Sequence, residues 1–198
     1  MDPSASKRET ILQATLELIQ EHGLNALTTA KIARKSGTAE TIIYRHFKGK
    51  QTIVTELLQR VGKDFHSAAA IIVAEKLSPI EKLNKMTALH LNFIQQTHGM
   101  TRILFSEQVH LSSPSDPFKQ AASSLSREYR GCVKQVIDEG IASGFFVSDL
   151  NSEIASMSYM GLHYLLMHEW ALNDFAGNIT DVKDSVIEYF YKAWAKRQ

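Results

Sequence analysis

Between Lys31 and Lys50 the chain carries six basic side chains (Lys31, Arg34, Lys35, Arg45, Lys48 and Lys50) against one acidic one, Glu40. Such a concentration attracts a polyanion, although a charge run of this length is also what an ordinary solvated face presents. The charge is unevenly divided along the chain. Residues 1–66 hold ten Lys/Arg and seven Asp/Glu, residues 67–198 twelve and fourteen, so a net charge of +1 conceals a basic front and a slightly acidic remainder.

Ala33, Gly37 and Ile43 have the spacing of a helix-turn-helix; an ordinary helical hairpin with a glycine turn is the alternative, but it would not require the basic flanks or the short second helix. Two helices meeting at a sharp angle need a small residue on the first, a residue tolerant of positive φ in the turn, and an aliphatic anchor on the second. Other chemistries lack a carrier. There is no nucleophile elbow and no paired-histidine zinc motif, and Gly49-Lys50 lacks the preceding glycine of a phosphate loop, so no catalytic residue is assigned. His163 and His168 are five apart, on different faces of a helix, and Cys132 is the single cysteine; no metal site, cofactor or intramolecular disulfide is expected.

The elements that hold these residues read as helical throughout, about nine helices with no two-residue alternation long enough for a sheet. Ser6 and Glu9 have capping-box spacing ahead of Ile11, Leu12, Thr15, Leu16 and Ile19, and Gly23 offers a stop. Thr28 can cap a short second helix and Thr38 a third that runs to about His46. A long fourth helix starts near Lys50 and passes Leu58 into Ala68–Ala70. Ser78, Pro79 and Glu81 open a fifth that ends near His98 and Gly99. A shorter helix around Arg102–His110 precedes a loop through Pro114 and Pro117, then a long helix from Phe118 to Ser143. Two more span roughly Asn151–Leu172 and Thr180–Lys196. The most apolar stretch, Met157 to Leu172, is interrupted by His163, His168 and Glu169, so no membrane span is expected. With no leader-like start, the expected compartment is the cytoplasm.

The run Ala33-Arg34-Lys35-Ser36-Gly37-Thr38-Ala39-Glu40-Thr41-Ile42-Ile43-Tyr44-Arg45-His46-Phe47-Lys48-Gly49-Lys50 resembles the signature of TetR/AcrR-type repressors. The resemblance covers residues 6–58 closely and the remainder in architecture only. It implies a helix-turn-helix DNA-binding domain over residues 1–48 and a ligand-sensing, dimerising helical bundle over 49–198. It places the third helix in the major groove, with Thr38, Ala39, Glu40 and Thr41 nearest the bases. Tyr44 and His46 would meet phosphates, and Thr28, Thr29 and Lys50 would grip the backbone at helix starts. Arg34, Lys35 and Arg45 add to the field, with Arg45 counted in the DNA-binding set. Glu40 departs from the family pattern; it either accepts from cytosine N4 or faces solvent, and both readings stay open.

The last two helices carry more apolar surface than one core contact needs. Leu165 and Trp170 on the first, with Val182, Val186, Tyr189, Phe190 and Ala193 leading along the second, are expected to form a four-helix interface with a second copy, which a palindromic double-stranded operator would match. A sensing pocket is expected from Met86, His90, Phe93, Phe105, Tyr129, Met157, Met160, His163, Tyr164 and Met167. These combine large apolar surface with a few polar tips, which points to a small apolar or amphipathic ligand. The function expected is a transcriptional repressor released from its operator by that ligand. The rival is a DNA-bound architectural or protein-interaction factor of the same fold without an inducer.

Overall fold

The computed structural model describes residues 3–97, 103–104 and 106–196. Among these residues there are nine α-helices and one short 3-10 turn, and the one β-type contact is an isolated bridge between Phe146 and Ala195. The helices are α1 (Pro3–His22), α2 (Thr29–Lys35), α3 (Glu40–His46), α4 (Lys50–Ala74), α5 (Pro79–Gln96), α6 (Glu107–Leu111), α7 (Pro117–Ala142), α8 (Ser152–Leu172) and α9 (Lys183–Trp194), with the 3-10 turn at Ile179–Val182. The chain is all-α, as expected. The helix ends anticipated at His98, Gly99 and Arg102 lie outside the described residues. Contacts group into two compact units, Met1–Lys63 with Thr97–Leu125, and Asp64–Gln96 with Ser126–Gln198.

The first unit is built on the apolar stripe of α1. Ile11, Leu12, Leu18 and Ile19 are buried with Leu27, Ile32, Ile43, Phe47, Ile53 and Leu58. Each such side chain withdrawn from water contributes roughly 1.5–3 kcal/mol before the entropy of ordering is set against it. Thr15 is fully buried on the same face, and its hydroxyl donates to Ile11 O at 2.7 Å, so no polar group is stranded there. α1 stops where Gly23, at φ +76°, donates to Ile19 O at 2.9 Å.

The second unit packs α5, α8, α9 and parts of α4 and α7. Leu91, Ile94, Met167, Trp170 and Ile179 form one continuous cluster. α5 opens as the spacing predicts: Glu81 Oε2 accepts from Ser78 N at 2.8 Å and from Ser78 Oγ at 2.5 Å, which holds the Glu81 carboxyl below its usual range. Lys82 is buried (4 % exposed), with its ammonium 2.7 Å from Glu139 Oε2. Gly140 allows a close approach. A Cβ there would lie 2.1 Å from Cδ2 of Phe146, and Phe146 N donates back to Gly140 O at 2.9 Å.

Candidate nucleic-acid interface and sensor core

α2 begins at an extended Thr28 whose Oγ1 accepts from Lys31 N at 3.2 Å. After α2 the chain turns through Gly37 at φ +63°, a left-handed conformation that costs other residues about 1 kcal/mol or more. Thr38 N then donates to Ala33 O at 3.0 Å. The start of α3 differs from expectation. Its N-cap is Ala39, which offers no side-chain bond, whereas the Thr38 hydroxyl lies 3.0 Å from Ser36 Oγ. Ser36 Oγ itself donates to Ile32 O at 2.7 Å, so Thr38 is drawn into closing the turn.

From this frame α3 presents Glu40, Thr41, Tyr44 and Arg45 outward, with Tyr44 58 % exposed, while Ile43 is fully buried as the anchor. Glu40 is held rather than loose. Thr29 Oγ1 donates to Glu40 Oε1 at 2.5 Å and lies 3.3 Å from Tyr44 OH, so three groups named from sequence converge. Lys50 Nζ donates to Leu27 O at 3.1 Å and Lys31 Nζ to Ala26 O at 2.8 Å. Lys35 is committed elsewhere. Its ammonium lies 2.6 Å from Glu21 and 3.5 Å from Glu17, which raises the affinity of Lys35 for its proton. Arg34, Arg45 and Lys48 are exposed and form no ion pair among the described residues.

His46 is half-buried and its Nε2 has no partner among the described residues, so the tip of this ring is turned away from solvent. Arg8 is a support residue that the sequence reading missed. It donates to His46 O at 3.1 Å, to Glu56 Oε1 at 2.8 Å, and stacks 4.4 Å over the Phe47 ring. It thereby fixes the C-terminal end of α3 from α1.

Beside these helices, within the same unit, is a cleft of about 790 Å³ lined in part by Leu24, Asn25, Lys50, Gln51, Val54, Gln108, Asp116 and Phe118. Two side-chain bridges join its rims: Gln51 Nε2 donates to Asp116 Oδ2 at 3.0 Å, and Gln108 Nε2 to Asn25 Oδ1 at 2.9 Å. None of the described ligand candidates lines it.

Those candidates gather instead inside the second unit. Met86, His90, Tyr129, Met160, His163 and Met167 are buried there, and Phe93 and Tyr164 are half-buried. His90 stacks on His163 with centroids 4.8 Å apart, and His90 meets Tyr129 edge-on at 4.9 Å. Burial pushes the His90 and His163 pKa values down, the latter to about 4, and raises those of Tyr129 and Tyr164. Phe65 and Tyr159 complete the cluster without having been singled out. Phe65 packs on Tyr129 at 4.7 Å and Tyr159 on His163 at 4.4 Å. Tyr159 was within reach of sequence reasoning, being one helical turn before His163; Phe65 carried no such signal. Met157 is 48 % exposed and stands apart from the cluster; Phe105 lies outside the described residues. Of the residues expected at a dimer interface, Leu165, Tyr189 and Ala193 face outward, Val182 is intermediate, and Trp170, Val186 and Phe190 are buried within the unit. No metal-binding group of three occurs among the described residues, and no described helix is long and apolar enough to cross a membrane.

A helix-turn-helix on a helical body defines a DNA-binding regulator, and comparison with known proteins carries this further. The pattern of bacterial regulatory proteins of the tetR family matches residues 11–57, and that of the tetracyclin repressor-like C-terminal domain matches residues 76–192. The chain belongs to the tetR family of transcriptional regulators. It is 24 % identical over 188 residues to the fatty acid metabolism regulator protein of Bacillus subtilis, covering 95 % of each chain. It is 28 % identical over 151 residues to the transcriptional repressor KstR2 of Mycolicibacterium smegmatis, covering 76 % of this chain and 72 % of that one. The nucleoid occlusion factor SlmA of Vibrio cholerae is 32 % identical over 100 residues, about half of each chain. In fold the chain is similar to FadR of Bacillus halodurans (TM-score 0.81, 21 % identity, 96 % of both chains). It is also similar to FadR of Bacillus subtilis in complex with stearoyl-CoA (TM-score 0.78, 24 % identity, 92 % of this chain and 97 % of that one). These relatives are regulators rather than enzymes.

Proposed function

We propose that the protein is a homodimeric, cytoplasmic repressor that holds a palindromic operator through two copies of α3 and is released when a small, mainly apolar molecule enters the second unit. The observation that carries this reading is the outward face of α3 beyond the Gly37 turn. It places Glu40, Thr41, Tyr44 and Arg45 in the open, and Arg34 and Lys48 are exposed with no ion pair among the described residues. α3 enters the major groove with Thr38, Ala39, Glu40 and Thr41 toward the bases, and Thr28, Thr29, Tyr44, Arg45 and Lys50 toward phosphate; His46, whose Nε2 is buried, supports the end of α3 instead. Backbone groups at the start of α2 suit phosphate because the first turn leaves N–H donors without helical partners.

Dimerisation is supported by an apolar stripe left open on α8. Ile154, Met157, Leu165 and Leu172 are 48–68 % exposed at helical spacing, with Gly161 among them, and Tyr189 of α9 is 61 % exposed. An uncovered apolar face of this kind is an interface feature. Sensing is assigned to the aromatic and histidine cluster of the second unit. α4 belongs to both units and is the element through which ligand occupancy would bias the spacing of the two heads.

Selection from randomised duplex DNA, with light scattering of the complex, tests the proposal. A dimer enriching a palindrome is expected; absent or wholly sequence-independent binding refutes it. Lys50→Ala should weaken every sequence alike, whereas Glu40→Gln should change preference. The resemblance to nucleoid occlusion factors keeps a second reading, a DNA-bound protein-interaction factor without inducer. Thermal stabilisation by an apolar compound separates the two, because only a molecule that binds the folded state raises its melting temperature.

A further inference from the structure

Among the described residues, two buried nitrogen atoms of the sensor core have no hydrogen-bond partner. His163 is fully buried and His90 is 6 % exposed, and their rings stack within 6° of parallel. His163 Nδ1 lies 2.8 Å from Tyr159 O. A carbonyl only accepts, so this nitrogen carries the hydrogen and Nε2 carries a lone pair. Nε2 of His163 and Nδ1 of His90 are both buried without a hydrogen-bond partner among the described residues. Burial keeps His163 neutral at physiological pH, so its free nitrogen is an acceptor.

The neighbouring hydroxyls do not fill the gap, because each is engaged. Tyr159 OH lies 2.8 Å from Thr87 Oγ1, Tyr129 OH donates to Met86 O at 2.7 Å, and Tyr164 OH lies 2.5 Å from Ser126 Oγ. Buried polar atoms are almost always paired, and two unpaired ones on rings in contact are a cost that the fold alone does not recover. Around them the surface is aromatic and apolar, with Phe65 against Phe93 at 4.5 Å and against His90 at 5.8 Å.

We propose that His163 Nε2 and His90 Nδ1 are the polar recognition point for the effector, and that the effector is an apolar molecule bearing a neutral hydroxyl. This rests on the proposal that the second unit senses a ligand. The hydroxyl donates to His163 Nε2 and accepts from His90 Nδ1–H, the tautomer in which His90 complements the His163 lone pair. An aliphatic alcohol and a phenol share this chemistry. A methyl ether of the same shape does not, since it would leave the His163 lone pair buried and unanswered.

The test is calorimetric titration of the full chain with two matched pairs: para-octylphenol against para-octylanisole, and decanol against decyl methyl ether. The hydroxyl member of one pair is expected to bind about tenfold or more tighter, the ratio a single net hydrogen bond gives, and the pair that shows it distinguishes phenol from alcohol. His163→Phe keeps a stacking ring without the nitrogen; it should bring both members within about twofold while leaving the ether's affinity unchanged. Nitrogen NMR of the unsubstituted protein reads the same bond without mutation, the His163 Nε2 resonance moving with the hydroxyl compound and not with its ether. Equal affinity within both pairs, or discrimination that survives His163→Phe, overturns hydroxyl recognition and leaves sensing intact. Binding of none of the four compounds overturns the sensing proposal as well.

Discussion

Arg45→Ala should reduce the salt dependence of operator binding, and Lys35→Ala should not, although each side chain is a single cation and both are exposed. The difference comes from their partners. Lys35 is held 2.6 Å from Glu21 and 3.5 Å from Glu17, so its charge is already answered inside the first unit. Arg45 has no ion pair among the described residues and stands at the C-terminal end of α3. Each cation that neutralises a phosphate adds about 0.9 to the slope of log affinity against log salt concentration. With two heads on one operator, Arg45→Ala should flatten the slope by about 1.8, so that a fourfold rise in salt costs the unsubstituted complex about twelvefold more than the variant. Fluorescence anisotropy with the selected operator, between about 50 and 200 mM salt, covers that range. Lys35→Ala should lower affinity somewhat, because it bares two carboxylates, while keeping the slope. If Lys35→Ala flattens the slope as much as Arg45→Ala does, the division between committed and available cations is wrong.

Gly140→Ala should destabilise the protein by about 1–3 kcal/mol, the usual cost of overpacking, because the new Cβ would meet Phe146 at 2.1 Å; an unchanged denaturation midpoint would show that Phe146 moves aside freely. Gly37→Ala, at φ +63°, should cost about 1–2 kcal/mol and weaken operator binding further, which melting and anisotropy together would show. Stability should fall on acidification from about pH 6.5 toward pH 4. His163, with its pKa lowered to about 4, stays neutral in the folded chain through that window while the unfolded chain takes up a proton. His163→Phe should flatten the profile, and an unaltered slope would locate the acid sensitivity elsewhere. Leu165→Glu, placed on the open stripe of α8 where Leu165 is 55 % exposed, should shift the dimer to monomers in light scattering without loss of helicity; a dimer that persists would place the interface on another face.

The helices and their order were legible because glycine stops, capping boxes and 3.6-residue periodicity are local signals. The Ser78–Glu81 box and the Gly23 stop appear where the spacing places them. What was not legible depends on which partner a side chain meets across the fold. Thr38 reads as a cap for α3, yet its hydroxyl turns back to Ser36, and an uncapped Ala39 starts the helix. Lys35 reads as part of the basic field, yet Glu17 and Glu21, one turn apart on α1, hold it. α8 is apolar nearly all round, a pattern that says two faces are needed but not which residues occupy each. Tertiary contact decides that: Tyr159 on Thr87, and Met167 and Trp170 in one cluster with Leu91 and Ile94, fix the inward face. Once that face is set, helical spacing leaves Met157 outward with Ile154 and Leu165, so a residue expected in the sensor becomes a candidate for the subunit contact. The same rotation turns His163 inward and leaves His168 in solvent. Two histidines five residues apart, indistinguishable by composition, are thereby separated into a buried ring whose Nε2 has no hydrogen-bond partner among the described residues and a solvated side chain.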